Sequence, residues 1–199
     1  MSERWQILDL GPAVVQRLLP QRPPFLFVDR VDAWATGPRP SVRSSRFLSI
    51  SDPVFQGHFP QLPLLPGALL VEGVGQTASL VYTLERMAES LGADVVIAEL
   101  QDLDRGLSLR PGFRPRPAGA RGPLDDVFSR LEGLPVGVAG EVRMKFLRPV
   151  VPGCRLVQEV RLTHRFGDQL HFEARVEVDG ELVAKGSLAA AIVETGLRA

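Results

Sequence analysis

Residues able to do acid–base or electrostatic work cluster between Phe55 and Gln76, in FQGHFPQLPLLPGALLVEGVGQ. His58 is one of only three histidines in the chain, and neutral imidazole is a competent proton acceptor near pH 7. Glu72 follows fourteen positions later, on an otherwise apolar run. A carboxyl held among apolar side chains resists ionisation and can keep a proton to donate. Gly67 follows Pro66 at a helix start, where the first N–H groups lack intrahelical partners and lie at the positive end of the dipole. A glycine there lets a developing negative charge approach the backbone, an oxyanion-hole arrangement. Gln76 stands one turn after Glu72 and is placed to orient its carboxylate. Alone, His58 suits a structural turn and Glu72 suits an ion pair with an arginine. Together in one short block they mark a site.

The elements that must position this group follow from pattern. Pro66 suits a first helical turn, and no proline interrupts the chain from there to Leu91, which predicts one long helix. Its first turns are apolar on nearly every side, so it is a buried central helix. Upstream, residues 7–19 predict a short helix after Gly11-Pro12 that ends at Pro20. Phe25-Leu26-Phe27-Val28 reads as a buried strand ending at Asp29 and Arg30 and continuing through Trp34, and Val42 to Ile50 reads as a second strand. Residues 95–101 (VVIAELQ) read as a third. Downstream, Val138 to Phe146, Cys154 to Arg165, Leu170 to Val178 and Glu181 to Val193 read as strands, the last two joined by the hairpin signal Asp179-Gly180. Several antiparallel strands and one long helix make an α+β domain in which a sheet wraps a helix.

Composition sets the frame. A chain of 199 residues fits one domain with a sizeable core. Twenty-three basic and 23 acidic residues cancel, which excludes an overall charge suited to nucleic acid or to a membrane surface. The single cysteine, Cys154, excludes an internal disulfide and fits a reducing compartment; it reads as a packing residue. The N-terminus lacks a signal-peptide layout, and no run nears the roughly 18 apolar residues of a membrane span. A cytoplasmic location is expected. Between Arg105 and Leu124 stand Arg105, Arg110, Arg114, Arg116 and Arg121 among many prolines and glycines, with no acidic residue. We read about 102–136 as a Pro/Gly/Arg-rich insertion in a single domain spanning 1–199, because it has too few apolar residues for its own core. His171 lies on the polar side of its strand and reads as solvated, while His164 shares parity with Leu162 and Phe166 and reads as half-buried.

Four blocks resemble the (3R)-hydroxyacyl-[acyl-carrier-protein] dehydratases of fatty-acid synthesis: LPQRPPFLFVDRV, GHFPQLPLLPGALLVEGVGQ, MKFLRPVVPG and VDGELVAKGSLAAAIV. The resemblance covers nearly everything but 102–136. Gln21 stands where that family often has histidine, and the basic insertion is atypical. The resemblance implies the hot-dog fold, no metal and no organic cofactor. It implies a homodimer whose active sites pair His58 of one subunit with Glu72 of the other, with hexamers common in the family. The substrate it implies is a 3-hydroxyacyl chain carried on the phosphopantetheine arm of acyl carrier protein.

Carried over, His58 is the base at C2, Glu72 the proton donor to the leaving hydroxyl, and the Gly67 N–H the carbonyl polariser, with Gln76 in support. Arg110, Arg114, Arg116, Lys145 and Arg148 are candidates for docking an acidic carrier protein; a solvated loop and a lid over the acyl tunnel are the other readings of the insertion. The rival functions are a hot-dog acyl thioesterase and a non-catalytic acyl-carrier-binding subunit. A dehydratase that also isomerises the double bond is a further possibility, although relatives of that type carry aspartate where Glu72 stands.

Overall fold

The computed structural model describes residues 5–107, 122, 124, 126 and 136–193. The first described element is a strand, β1 (Trp5–Leu10), followed by the expected short helix, α1 (Pro12–Leu18), which has Gly11 at its cap and Pro12 as its first residue. Strands β2 (Arg30–Ala35) and β3 (Ser41–Phe47) follow, and then a 3-10 turn at Pro53–Gln56. The central helix, α2, runs from Gly67 to Leu91, and a second helix, α3, from Ala93 to Leu107. The last third is β4 (Val136–Phe146), β5 (Arg155–Phe166), β6 (Gln169–Val178) and β7 (Glu181–Val193). All strand pairs are antiparallel, in the order β1-β2-β3-β5-β6-β7-β4. The β6–β7 hairpin turns at Asp179-Gly180, both at positive φ (52° and 80°), the conformation that a two-residue type I′ turn requires.

One layer of sheet lies against α2, giving the α+β hot-dog fold. Along α2, Leu70, Val74, Ala78, Leu80, Val81, Leu84 and Met87 are buried, facing Val42, Leu156, Val160, Phe172 and Val176 of the sheet. At 25 residues and about 1.5 Å per residue, α2 is about 37 Å long. Trp34 on β2 is wholly buried, and its indole N–H donates to Glu85 Oε1 of α2 at 3.0 Å. Burial pushes the Glu85 carboxyl above the usual carboxylate range; the Trp34 hydrogen bond pulls it back, and neighbouring Glu89 adds to the rise.

Three expectations are corrected. Residues 95–101 are helix, not strand. Val95, Val96 and Ile97 look like a β-branched run, but Val96, Leu100 and Leu103 are the buried positions, a helical spacing that lays α3 on α1, α2 and β1. It follows that 102–107 belong to α3 rather than to an insertion. Secondly, Phe25–Val28 is not a strand: β2 starts at Arg30, because the backbone of this segment is bound by a side chain of α2 instead of by a neighbouring strand. Thirdly, His164 is exposed and His171 half-buried, the reverse of the parity reading, because the β5–β6 register shifts between Leu162 and His164. Strand β1 was not anticipated at all; its register against β2 shifts between Ile7 and Leu10, which breaks the alternation. The helical turn expected over 125–131 and the arginines at 110, 114, 116 and 121 lie outside the described residues, although Leu124 is helical and buried.

α3 is tied to the start of α1 by a buried hydrogen bond, Gly11 N–H to Asp104 Oδ1 at 2.7 Å. Asp104→Ala would leave that N–H buried and unpaired, so it should lower stability by about 1–3 kcal/mol. The check is urea unfolding, with a lower midpoint at an unchanged slope.

Candidate active site

The turn carrying His58 is closed by its own backbone. His58 N–H donates to Val54 O at 3.1 Å, and Leu64 N–H donates to His58 O at 2.9 Å. The imidazole completes the loop, with Nδ1 2.9 Å from Leu64 O. A carbonyl can only accept, so Nδ1 is the protonated nitrogen and Nε2 of the neutral ring keeps its lone pair. The Phe59 ring stacks on the imidazole with centroids 4.3 Å apart. Leu65 N–H donates to Val150 O at 2.8 Å, tying the end of this loop to the turn after β4.

Glu72 is half-buried in the second turn of α2, and one carboxylate oxygen accepts from Gln76 Nε2 at 2.9 Å. Gln76 is 1% exposed, yet every polar hydrogen and its oxygen are used. Its second Nε2 hydrogen goes to Phe25 O at 2.9 Å, and its Oε1 accepts from Phe27 N–H at 2.8 Å. The amide therefore holds the 25–27 segment and the Glu72 carboxylate in one rigid arrangement. The hydrogen bond to Glu72 is the contact an orienting role for Gln76 needs, and the same amide also replaces a strand partner for Phe25–Val28.

Gly67 is the first residue of α2, after Pro66 at the cap. A Cβ on Gly67 would lie 2.8 Å from Phe146 Cζ, so the ring at the end of β4 can cover the helix start only over a glycine. Phe146 was not anticipated as a neighbour of the site. It lies in the quoted MKFLRPVVPG block, but its contact is between residues far apart in sequence.

Within one chain, no hydrogen bond or ion pair joins His58 to Glu72. His58 is held by its own loop, and Glu72 by α2. The docking candidates are placed less uniformly. Arg148 pairs with Glu181 at 3.1 Å, both well exposed. Lys145 lies on the sheet face away from α2, in a cross-strand row with Lys185 and Arg175. Arg175 pairs with Glu177 at 3.3 Å, whereas neither lysine has an ion pair with a described residue. Cys154 is half-buried and its Sγ–H donates to Val151 O at 3.2 Å; burial, then Asp179, pushes its thiol up. Among the described residues, no cluster of three or more His, Cys, Asp or Glu is placed to hold a metal, and no helix is long and apolar enough to cross a membrane.

Comparison with known proteins places this geometry. A FabA-like domain model matches residues 19–104, the span that contains His58, Gly67, Glu72 and Gln76. The 3-hydroxyacyl-[acyl-carrier-protein] dehydratase FabZ of Anaeromyxobacter sp. (strain K) is 31% identical over 193 residues, covering 97% of this chain and 96% of its own. The chain belongs to the FabZ dehydratase family. A second FabZ, from Campylobacter lari, is 31% identical over 180 residues, with 90% and 95% covered. Among solved structures, the dehydratase heterocomplex ApeI:P from Xenorhabdus doucetiae superposes with a TM-score of 0.59 at 13% identity, over 92% of each chain, which supports the fold.

Gln76→Leu keeps the volume but strips the amide, leaving Phe25 O and Phe27 N–H unpaired and Glu72 unsupported. It should cost about 2 kcal/mol in a denaturant titration. It should also lower kcat more than it changes KM, because the carboxylate loses its orientation and the pocket walls stay.

Proposed function

We propose that this protein is a lyase that dehydrates (3R)-3-hydroxyacyl thioesters on acyl carrier protein to trans-2-enoyl thioesters, in fatty-acid or polyketide-like biosynthesis. The observation that carries the reading is the commitment of His58 Nδ1 to Leu64 O, which supports Nε2 as a proton acceptor aimed away from its own loop.

The chemistry follows in balanced steps. Abstraction of the C2 proton by His58 Nε2 leaves an enolate-like charge on the thioester oxygen. The Gly67 N–H, at the positive end of α2, stabilises that charge. Glu72 gives its proton to the 3-hydroxyl as the C3–O bond breaks, so water leaves and the C2–C3 double bond forms. The proton on His58 then returns to Glu72 to reset the site. No step needs a metal or an organic cofactor; the phosphopantetheine arm belongs to the substrate.

The pair acts between subunits of a homodimer. Two features support this: no hydrogen bond or ion pair joins His58 to Glu72 within a chain, and β4 is an edge strand among the described residues, with Val138, Val142 and Phe146 exposed. An edge of unpaired N–H and C=O groups flanked by apolar side chains is suited to pairing with a second copy. Assembly of dimers into hexamers is compatible with this edge being used first. The carrier protein is acidic, and we assign Lys145, Arg148, Arg110, Arg114 and Arg116 to its docking rim, with the arginine-rich stretch that follows α3 supplying part of it. The reaction is placed in the cytoplasm, without nucleic acid or membrane.

Mass spectrometry of carrier-bound 3-hydroxyacyl thioesters tests the activity. Loss of water by the wild type should vanish in His58→Ala and in Glu72→Gln; release of free thiol instead would make the protein a thioesterase. Co-expressing the two inactive variants tests the shared site. Random pairing makes half the dimers mixed, each with one intact His/Glu pair, so about a quarter of wild-type activity should return; a site within one chain would return none. Docking is tested by neutralising Lys145 and Arg148, and separately Arg110, Arg114 and Arg116. KM should rise at low salt for carrier-bound substrate and stay unchanged for a pantetheine thioester, the difference fading as salt is added.

A further inference from the structure

On β5, alternate residues Leu156, Gln158 and Val160 are buried against α2. Gln158 is 0% exposed, and neither Nε2 nor Oε1 has a protein hydrogen-bond partner. Among the described residues it is the one side chain with its whole amide orphaned. Buried amides are ordinarily paired, and an orphaned one calls for a physical cause.

The nearest hydroxyls are turned to other partners. Ser44, the cross-strand partner of Gln158 on β3, lies 2.7 Å from Thr77 Oγ1. Thr77 in turn donates to Gly73 O at 2.8 Å, so the Ser44 hydroxyl is the donor to Thr77 and both hydroxyl hydrogens are spent. The amide lies instead against the bare backbone of Gly73, where a Cβ would come within 2.8 Å of both Nε2 and Oε1. Gly73 is the residue after Glu72 on α2. The absence of a side chain there brings the amide to the helix one position from the acid of the reaction.

We propose that Gln158 is a specificity residue that receives a hydroxyl group carried on the acyl chain. An orphaned donor and an orphaned acceptor on one planar amide call for a guest that accepts from Nε2 and donates to Oε1 at once. A hydroxyl does both, a carbonyl meets only the donor, and a methylene meets neither. Water and an alcohol on the substrate share this chemistry; the contact with Gly73, the residue after Glu72 in the chain, favours the acyl chain. This inference rests on the dehydratase reading, and its substrate is a 3-hydroxyacyl thioester with a second hydroxyl further along the chain.

The test is a scan of 3-hydroxyacyl thioesters of equal length, unsubstituted or with one additional hydroxyl at successive positions, on wild type, Gln158→Met and Gln158→Leu. Sites built to pair a substrate hydroxyl reject its deoxy analogue strongly, so the wild type should favour one hydroxylated isomer by at least about tenfold in kcat/KM. Gln158→Met, close in shape, should erase that preference while still turning over the unsubstituted chain. A wild type with no preference at any position overturns the proposal whatever the variants do. So does a preference that survives in Gln158→Met, or a variant that only melts higher, the signature of a water site. Failure of the wild type to dehydrate the unsubstituted chain sinks the dehydratase reading itself, and this inference with it.

Discussion

The structure depends on covering one helix. α2 presents apolar side chains over much of its circumference, and 25 residues of that surface cannot be left in water. The sheet covers one side and α3 another. Among the described residues, what is left uncovered is the start of the helix and the flank bearing Glu72, where Phe25, Phe59, Leu62 and Phe146 are exposed. The place where the wrapping stops is therefore the place where a substrate and a second subunit have apolar surface to meet. The reactive groups do not interrupt the core; they sit at its open end.

Two buried amides show how the same side chain serves opposite purposes. Gln76 is fully paired, and its three hydrogen bonds turn an irregular segment and a carboxylate into a fixed frame. Gln158, also buried, is paired with none of the described residues. A satisfied amide rigidifies its surroundings, whereas an unsatisfied one keeps a cost in the folded state that only a bound group can relieve. The first fits a residue that positions, the second a residue that selects.

Much of this was legible in the sequence, for physical reasons that differ by element. The central helix is readable because its apolar run is long and Pro66 marks its start. The β6–β7 hairpin is readable because alternation and Asp179-Gly180 agree. The candidates His58, Gly67, Glu72 and Gln76 are readable one by one, since a turn and a helix start place each of them, but local spacing does not bring His58 to Glu72. α3 is not, since Val95-Val96-Ile97 carries a strand-like local preference that packing against α1, α2 and β1 overrides. The path of Phe25–Val28 is not either, since its backbone partner is a side chain 49 to 51 residues away. Leu64 O, which sets the His58 tautomer, is a backbone atom that no residue type announces. Gln158 did leave a signal, a polar residue at a core-facing position of an otherwise apolar alternation between Leu156 and Val160.

The row of Lys145, Lys185 and Arg175 on the outer sheet face has a consequence for how the molecule is sensed at a distance. The whole chain carries a formal charge of zero at pH 7, so the cations of this row are balanced by acidic residues elsewhere rather than being part of a net excess. The far field of such a body falls off faster than that of a single charge, and salt confines it to about 8–10 Å. An approaching body is thus neither drawn in nor repelled from afar; within the last few solvent layers it is turned. The sheet face works as a compass needle rather than a beacon.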